Sequence, residues 1–264
     1  MAVLGKVYLV GAGPGAADLM TVRGARLLGE AEVVLYDALV TPEMLALCGQ
    51  AELISVGKRS GQRSAAQADI NGQLVECARR FKTVVRLKGG DPMLFGRADE
   101  ELRALEAEGI EVEIVPGITT AVAAAAATKQ PLTKRGVARS VAFFTSSTAP
   151  DQPDHPALPE TDTLVQYMGG REAAATAERL LAEGRRADLP VVVVENCSRP
   201  DERILRLTLA TLAHGLEMAH GPVLVMIGEA LQRRAHQAPD AASASASASA
   251  SASASASASA SQDT

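Results

Sequence analysis

The sequence predicts an α/β protein made of two α/β domains, and three observations carry that expectation. Through residues 6–128, short apolar β-rich runs alternate with helical patterns, which implies a mainly parallel sheet covered on both faces. Beyond Pro131-Leu132-Thr133 strand pairs follow one another without a helix between them, so the second sheet is expected to be mixed. From residue 241 to 261 the chain is only Ala and Ser, and no large side chain there offsets chain entropy. The expected domains are therefore 1–133 and 134–235, with 236–264 a disordered Ala/Ser-rich tail or an expression artefact.

The first strand is expected at 6–10 (KVYLV), ending at Gly11. Thr21 offers a side-chain acceptor to a helix over 22–31. Residues 32–36 (EVVLY) form the second strand, and Thr41-Pro42 opens another helix with proline in its first turn, where no N–H is needed. The third strand is 52–56. Helix 69–80 follows because Ile70, Leu74 and Ala78 recur at i, i+4 and i+8. Strand 83–87, helix 98–108, strand 112–115 and an Ala-rich helix over 121–128 complete the first series. In the second half, strands are expected at 140–145, 163–168, 191–195, 204–208 and 222–227. Helices are expected at 171–183 and 209–218, and a Pro-rich loop at 149–159.

The chain carries 26 Lys and Arg against 31 Asp and Glu, a net charge of -5, with no Trp and 3% aromatics. This argues against a nucleic-acid partner, which needs a basic face and often aromatic stacking platforms. It leaves room for a locally basic pocket. Cys48, Cys77 and Cys197 are odd in number and far apart, with neither disulfide framework nor zinc spacing, which points to a reducing compartment. His155, His214, His220 and His236 form no paired ligand motif and are expected to face solvent; no metal is expected. The longest apolar runs are too short to cross a bilayer, and the N-terminus lacks a secretory pattern, so a cytoplasmic protein without membrane contact is expected.

Two glycine turns carry the chemistry. Gly11-Ala12-Gly13-Pro14-Gly15-Ala16 follows the first strand, and Asp37 closes the second. Read loosely, this is a dinucleotide turn with its ribose-binding acid, so an NAD(P) oxidoreductase is one reading. Pro14 counts against it, because it removes a backbone donor near the pyrophosphate; the helix start at Thr21 also comes late. A tight turn with no ligand is the plain alternative. The second turn, Lys88-Gly89-Gly90-Asp91-Pro92, changes the balance. Two glycine turns at the ends of parallel strands outline one crevice, the usual ligand site of an open α/β sheet. Asp91, extended before Pro92, is expected to project its carboxylate from the strand end.

These turns belong to a longer ordered set. Val10–Gly15 with Asp18-Leu19, Val34–Asp37, Val56–Arg59, Val85–Pro92, Phe95-Gly96-Arg97 and Glu100-Glu101 come first. Val115–Thr119, Pro131–Thr133, Tyr167-Met168-Gly169, Val194–Asn196 and Ile227–Glu229 continue it. The set resembles the tetrapyrrole methylases over about residues 5–230. That resemblance implies the class III methyltransferase fold, two α/β domains with the active-site cleft between them, S-adenosylmethionine as cofactor, and a homodimer. It implies two methylations of uroporphyrinogen III, at C-2 and C-7, giving precorrin-2 for sirohaem, cobalamin and haem d1 synthesis. A sister precorrin methylation is the implied alternative. The chain starts at the methylase itself, so the monofunctional form is expected.

The resemblance places cofactor contacts at Pro14, Gly89, Gly90, Asp91, Leu94, Thr119, Thr120, Met168 and Cys197, the last where the family commonly has Gly. It gives Asp37 and Lys58 proton-transfer roles and sets Arg97 on the tetrapyrrole side. The substrate is a polycarboxylate, so a basic wall is expected from Lys58-Arg59, Arg63, Arg97, Lys134-Arg135 and Arg139. Three segments depart from the family pattern: Gln62-Arg63, Thr133–Val137 and Thr145–Ser147 each lack a polar group that is common there. All three departures bear on the tetrapyrrole and leave the cofactor turns intact.

Overall fold

A computed structural model of the chain describes residues 4–57, 67–146, 157–216 and 221–234. Lys58, Arg59, Gln62, Arg63, Ser147, His155, His220, His236 and the tail lie outside the described residues. The chain divides into two compact units, Met1–Ala123 and Ala124–Thr264.

The first unit contains β1 (Lys6–Gly11), α1 (Val22–Glu30), β2 (Val33–Tyr36), α2 (Pro42–Leu45), β3 (Glu52–Ser55), α3 (Gln67–Arg80), β4 (Thr83–Lys88), α4 (Ala98–Ala107) and β5 (Val112–Val115). Its strands form one sheet in the order β3-β2-β4-β1-β5, with every pairing parallel. Parallel neighbours need long crossovers, which the helices supply. Side chains alternate across the sheet and fill two cores. Val7, Leu9, Val33, Leu35 and Val84 pack with Ile70 and Leu74 of α3 and Leu105 of α4. Val10, Val34, Val85 and Leu87 pack with Leu27 and Leu28 of α1 and Met44 of α2. Cys48 and Cys77 are buried in these cores.

Local chemistry sets the ends. Thr21 Oγ1 accepts the Gly24 N–H at 3.1 Å and starts α1. Pro42 opens α2, but α2 is a single turn and Thr41 does not cap it. The Thr41 hydroxyl instead donates to the Gly15 carbonyl at 3.4 Å, tying this loop to the first glycine turn.

Helix α5 (Thr120–Thr128) straddles the division, which therefore falls before the expected boundary at 133/134. The reason is where the end of α5 and the residues just after it make their bonds. Arg206 donates to the Thr128 carbonyl at 3.3 Å and to the Gln130 side chain, and Gln130 donates to the Leu231 carbonyl.

The second unit contains β6 (Val141–Thr145), β7 (Thr163–Tyr167), α6 (Gly169–Ala182), β8 (Pro190–Glu195), β9 (Arg203–Thr208), α7 (Leu209–Ala213) and β10 (Val223–Ile227). Its sheet, β6-β7-β10-β8-β9, pairs β6 with β7 in parallel and the rest antiparallel, the mixed sheet expected. The helix expected over 209–218 ends at Ala213, because His214 caps it and Gly215 turns left-handed at φ 93°. Residues 134–138 form a tight turn through Gly136 that leaves Lys134 and Arg135 exposed. No helix among the described residues is long and apolar enough to cross a membrane.

Candidate active site

In an all-parallel sheet every strand ends at the same edge. In the first unit that edge gathers Ala12–Gly15 after β1, Asp37 after β2, Gly57 after β3, Gly89–Asp91 after β4 and Gly117–Thr119 after β5. The two glycine turns bond directly to each other. Gly13 N–H donates to Gly90 O at 3.1 Å, and Gly90 N–H donates to Gly13 O at 2.7 Å. The third turn closes on them: a Cβ on Gly117 would lie 2.2 Å from Gly90 O and 2.8 Å from Gly11 Cα. Only bare backbone permits that approach. By contrast, a Cβ on Gly90 (φ 68°) would meet nothing within 4 Å, so the turn has an open side.

Two carboxylates hold this edge. Asp37 accepts the Leu39 N–H at 2.9 Å through Oδ1 and the Gly89 N–H at 3.3 Å through Oδ2, joining the ends of β2 and β4. Asp91 does not simply project outward as expected. Its Oδ1 accepts the Met93 N–H at 2.8 Å and its Oδ2 the Gly117 N–H at 2.9 Å, so it joins the ends of β4 and β5. Pro14 is buried in the first turn. Leu94 is half-buried and donates its N–H to the Asp91 carbonyl. The Thr119 carbonyl accepts from Val122 and Ala123 as α5 begins at Thr120. Gly57, just before Lys58, packs on Asp37; its Cβ would lie 2.7 Å from Asp37 Cα.

Arg97 sits at the start of α4 in the left-handed region (φ 55°). Its fork grips Glu100 through two bonds of 2.7 Å, which raises the guanidinium and lowers the Glu100 carboxyl from their usual ranges. A substrate carboxylate would have to compete with Glu100 for it. Lys134, Arg135 and Arg139 are exposed in the second unit.

Sequence reasoning missed a charged cluster buried beneath the second turn. Arg86 and Lys88 point to the same face of β4, and both bond Glu101 of α4. Arg86 Nε lies 3.1 Å from Oε1 and Lys88 Nζ 2.8 Å from Oε2. Their side chains are 5%, 5% and 0% exposed. Arg86 also donates to the carbonyls of Leu87 and Leu35. The visible sign was Arg-x-Lys on an otherwise apolar strand, followed by an acidic helix start.

In the second unit β7 and β8 both run antiparallel to β10, so their ends share one edge of that sheet. Met168 ends β7 in the left-handed region (φ 57°), 53% exposed. Cys197 follows β8 but is buried, and burial together with the nearby Glu202 carboxylate pushes its thiol up to about 12. A polar nest missed by sequence sits at the same edge, where Gln166 donates to Ser146 at 3.0 Å and Thr176 at 2.9 Å.

The first-unit edge suits S-adenosylmethionine. A bare-backbone turn with an open side at Gly90 accepts a close ligand, and two carboxylates complement a cation. It does not suit a dinucleotide pyrophosphate. The Gly13 N–H is spent on Gly90, Pro14 has none, and α1 begins only at Val22.

Comparison with known proteins agrees with this geometry. The profile of the tetrapyrrole (corrin/porphyrin) methylases matches residues 6–213. A siroheme synthase of Tolumonas auensis is 49% identical over 229 residues, 85% of this chain and 49% of that protein. The chain thus spans about half the length of the curated relatives it matches. The structure of uroporphyrin-III C-methyl transferase from Thermus thermophilus complexed with S-adenyl homocysteine is similar at a TM-score of 0.78 and 40% identity, covering 91% of this chain and 100% of that one. A cobalt precorrin-4 methyltransferase is similar at 0.72 and 31% identity, covering 86% and 96%.

Proposed function

The chain belongs to the tetrapyrrole methylase family, and from that premise we propose that it is an S-adenosylmethionine-dependent C-methyltransferase acting on uroporphyrinogen III. It methylates C-2 and then C-7, giving precorrin-2. The observation that carries this reading is the likeness to the Thermus thermophilus methyltransferase over that protein's whole length.

When bound, the cofactor would supply a methyl group already activated on a sulfonium for the electron-rich pyrrole carbon of the substrate. The chain's own residues align the partners and exclude water. The reading assigns the cofactor to Pro14, Gly89, Gly90, Asp91, Leu94, Thr119, Thr120, Met168 and Cys197. Asp37 and Lys58 balance the proton left on the macrocycle. Arg97, Lys134, Arg135 and Arg139 meet substrate carboxylates, Arg97 by exchanging Glu100 for one of them. The reading includes a homodimer working in the cytoplasm.

The test is anaerobic incubation with S-adenosylmethionine and uroporphyrinogen III. Two methyl transfers and a precorrin-2 chromophore are expected, and no transfer to any tetrapyrrole would sink the reading. The likeness to the cobalt precorrin-4 enzyme keeps one sister reading in view. Methylation of a later precorrin in place of uroporphyrinogen III would favour it.

A further inference from the structure

We propose that Lys88 is a positioning residue for the methyl-transfer site: its buried ammonium, held by Glu101, is the counter-charge that orients the Asp37 carboxylate at the end of β2. The proposal rests on the methyltransferase reading.

The argument begins with a charge count. Two buried cations, Arg86 and Lys88, share the single carboxylate of Glu101, so the cluster holds a surplus positive charge. A buried surplus charge is costly to a fold. With methionine in place of Lys88, Arg86 and Glu101 would remain a balanced, hydrogen-bonded pair and the face of β4 would stay filled. Stability alone therefore does not call for a lysine there.

Asp37 is the group that answers the surplus. The β2–β4 register runs Val33↔Val84 to Tyr36↔Leu87, and its next step sets Asp37 beside Lys88. The bond from the Gly89 N–H to Asp37 Oδ2 fixes that step, since Gly89 directly follows Lys88. The ammonium responds to both neighbours: burial and Arg86 push it down, while Glu101 and Asp37 push it back up. Gly96, of the Phe-Gly-Arg motif, leaves room for the lysine stem. A Cβ there would lie 3.1 Å from Lys88 Cε and 2.6 Å from the Pro92 carbonyl oxygen. Lys88 itself is too enclosed to touch a substrate and acts through Asp37.

The decisive variant is Lys88→Met, compared with wild type in three measurements. Thermal stability should be unchanged or higher. The Kd for S-adenosylhomocysteine should stay within about threefold, because the backbone turn is retained. The kcat for methyl transfer should fall on the order of 10²-fold, the scale of a misplaced reacting group. A purely structural lysine would give the reverse pattern, lower stability with normal kcat, and that result overturns the proposal. Lys88→Gln, which keeps a bond to Glu101 without the charge, should behave like Lys88→Met. Failure of both variants to fold would also overturn the proposal, since the lysine would then be serving the fold. Absence of methyl transfer by wild type strikes the functional reading instead, so the two failures are distinguishable.

Discussion

At the scale of single residues, the site edges are built from conformations that side chains avoid. Among the described residues, six non-glycine residues have positive φ, and five of them lie in or beside the motifs: Phe95, Arg97, Met168, Asn196 and Ser198. Each costs about 1–2 kcal/mol, which surrounding bonds must offset. Asp91 ties the first-unit edge together with two bonds, to the Met93 and Gly117 N–H groups. Asp91→Ala should cost roughly 1.5–3 kcal/mol of stability, the loss of hydrogen bonds to a charged acceptor. It should also weaken S-adenosylhomocysteine binding more than Lys58→Ala does, because the Gly117 turn is released. Urea unfolding and calorimetric titration read the two effects. A stability change under about 0.5 kcal/mol with equal affinities would show that the edge holds without Asp91.

At the scale of elements, most of the fold was legible because most strands are short, largely apolar runs with a stop. β1 stops at Gly11, β5 runs just over 112–115, and α1 starts at the capping threonine. Thr21→Ala should therefore cost about 1 kcal/mol, the usual value of an N-cap. It should also speed amide exchange at Gly24, which loses its 3.1 Å acceptor. Unchanged exchange there would mean that packing alone starts α1. What was not legible depends on contacts between distant segments. Thr41 has the sequence of a cap, yet its hydroxyl goes to Gly15. The helix after Pro42 is one turn, and the end of α5 and Gln130 just after it bond forward to Arg206 and Leu231, which moves the division earlier. The Arg86–Glu101–Lys88 cluster left a sign in the sequence, Arg-x-Lys on an apolar strand, but its pairing with Glu101 spans distant segments and was hidden for the same reason. Charges in a motif read as surface groups until burial is known, and Glu101 is fully buried.

At the scale of the whole molecule, the cofactor edge and the charge balance lead to one measurement. A ligand that binds only the native chain stabilises it by about 2.7 kcal/mol at a hundred times its Kd. In a chain of this size each kcal/mol moves the melting temperature by about 2–4 °C, so saturating S-adenosylhomocysteine should raise it by roughly 5–10 °C. NADPH should raise it by nothing measurable, because the turn offers a pyrophosphate neither Pro14 nor Gly13 as donor. The overall charge of -5 sharpens the contrast, since a phosphate-rich ligand would also meet Asp37 and Asp91 at the edge. Salt separates the two substrates in the same way. Exposed Lys134, Arg135 and Arg139 are screened beyond about 8 Å at 0.15 M salt, so KM for the polycarboxylate should rise with ionic strength. The S-adenosylhomocysteine shift, set by close backbone contacts, should hold steady. An NADPH shift equal to the S-adenosylhomocysteine shift would overturn this account of the turn.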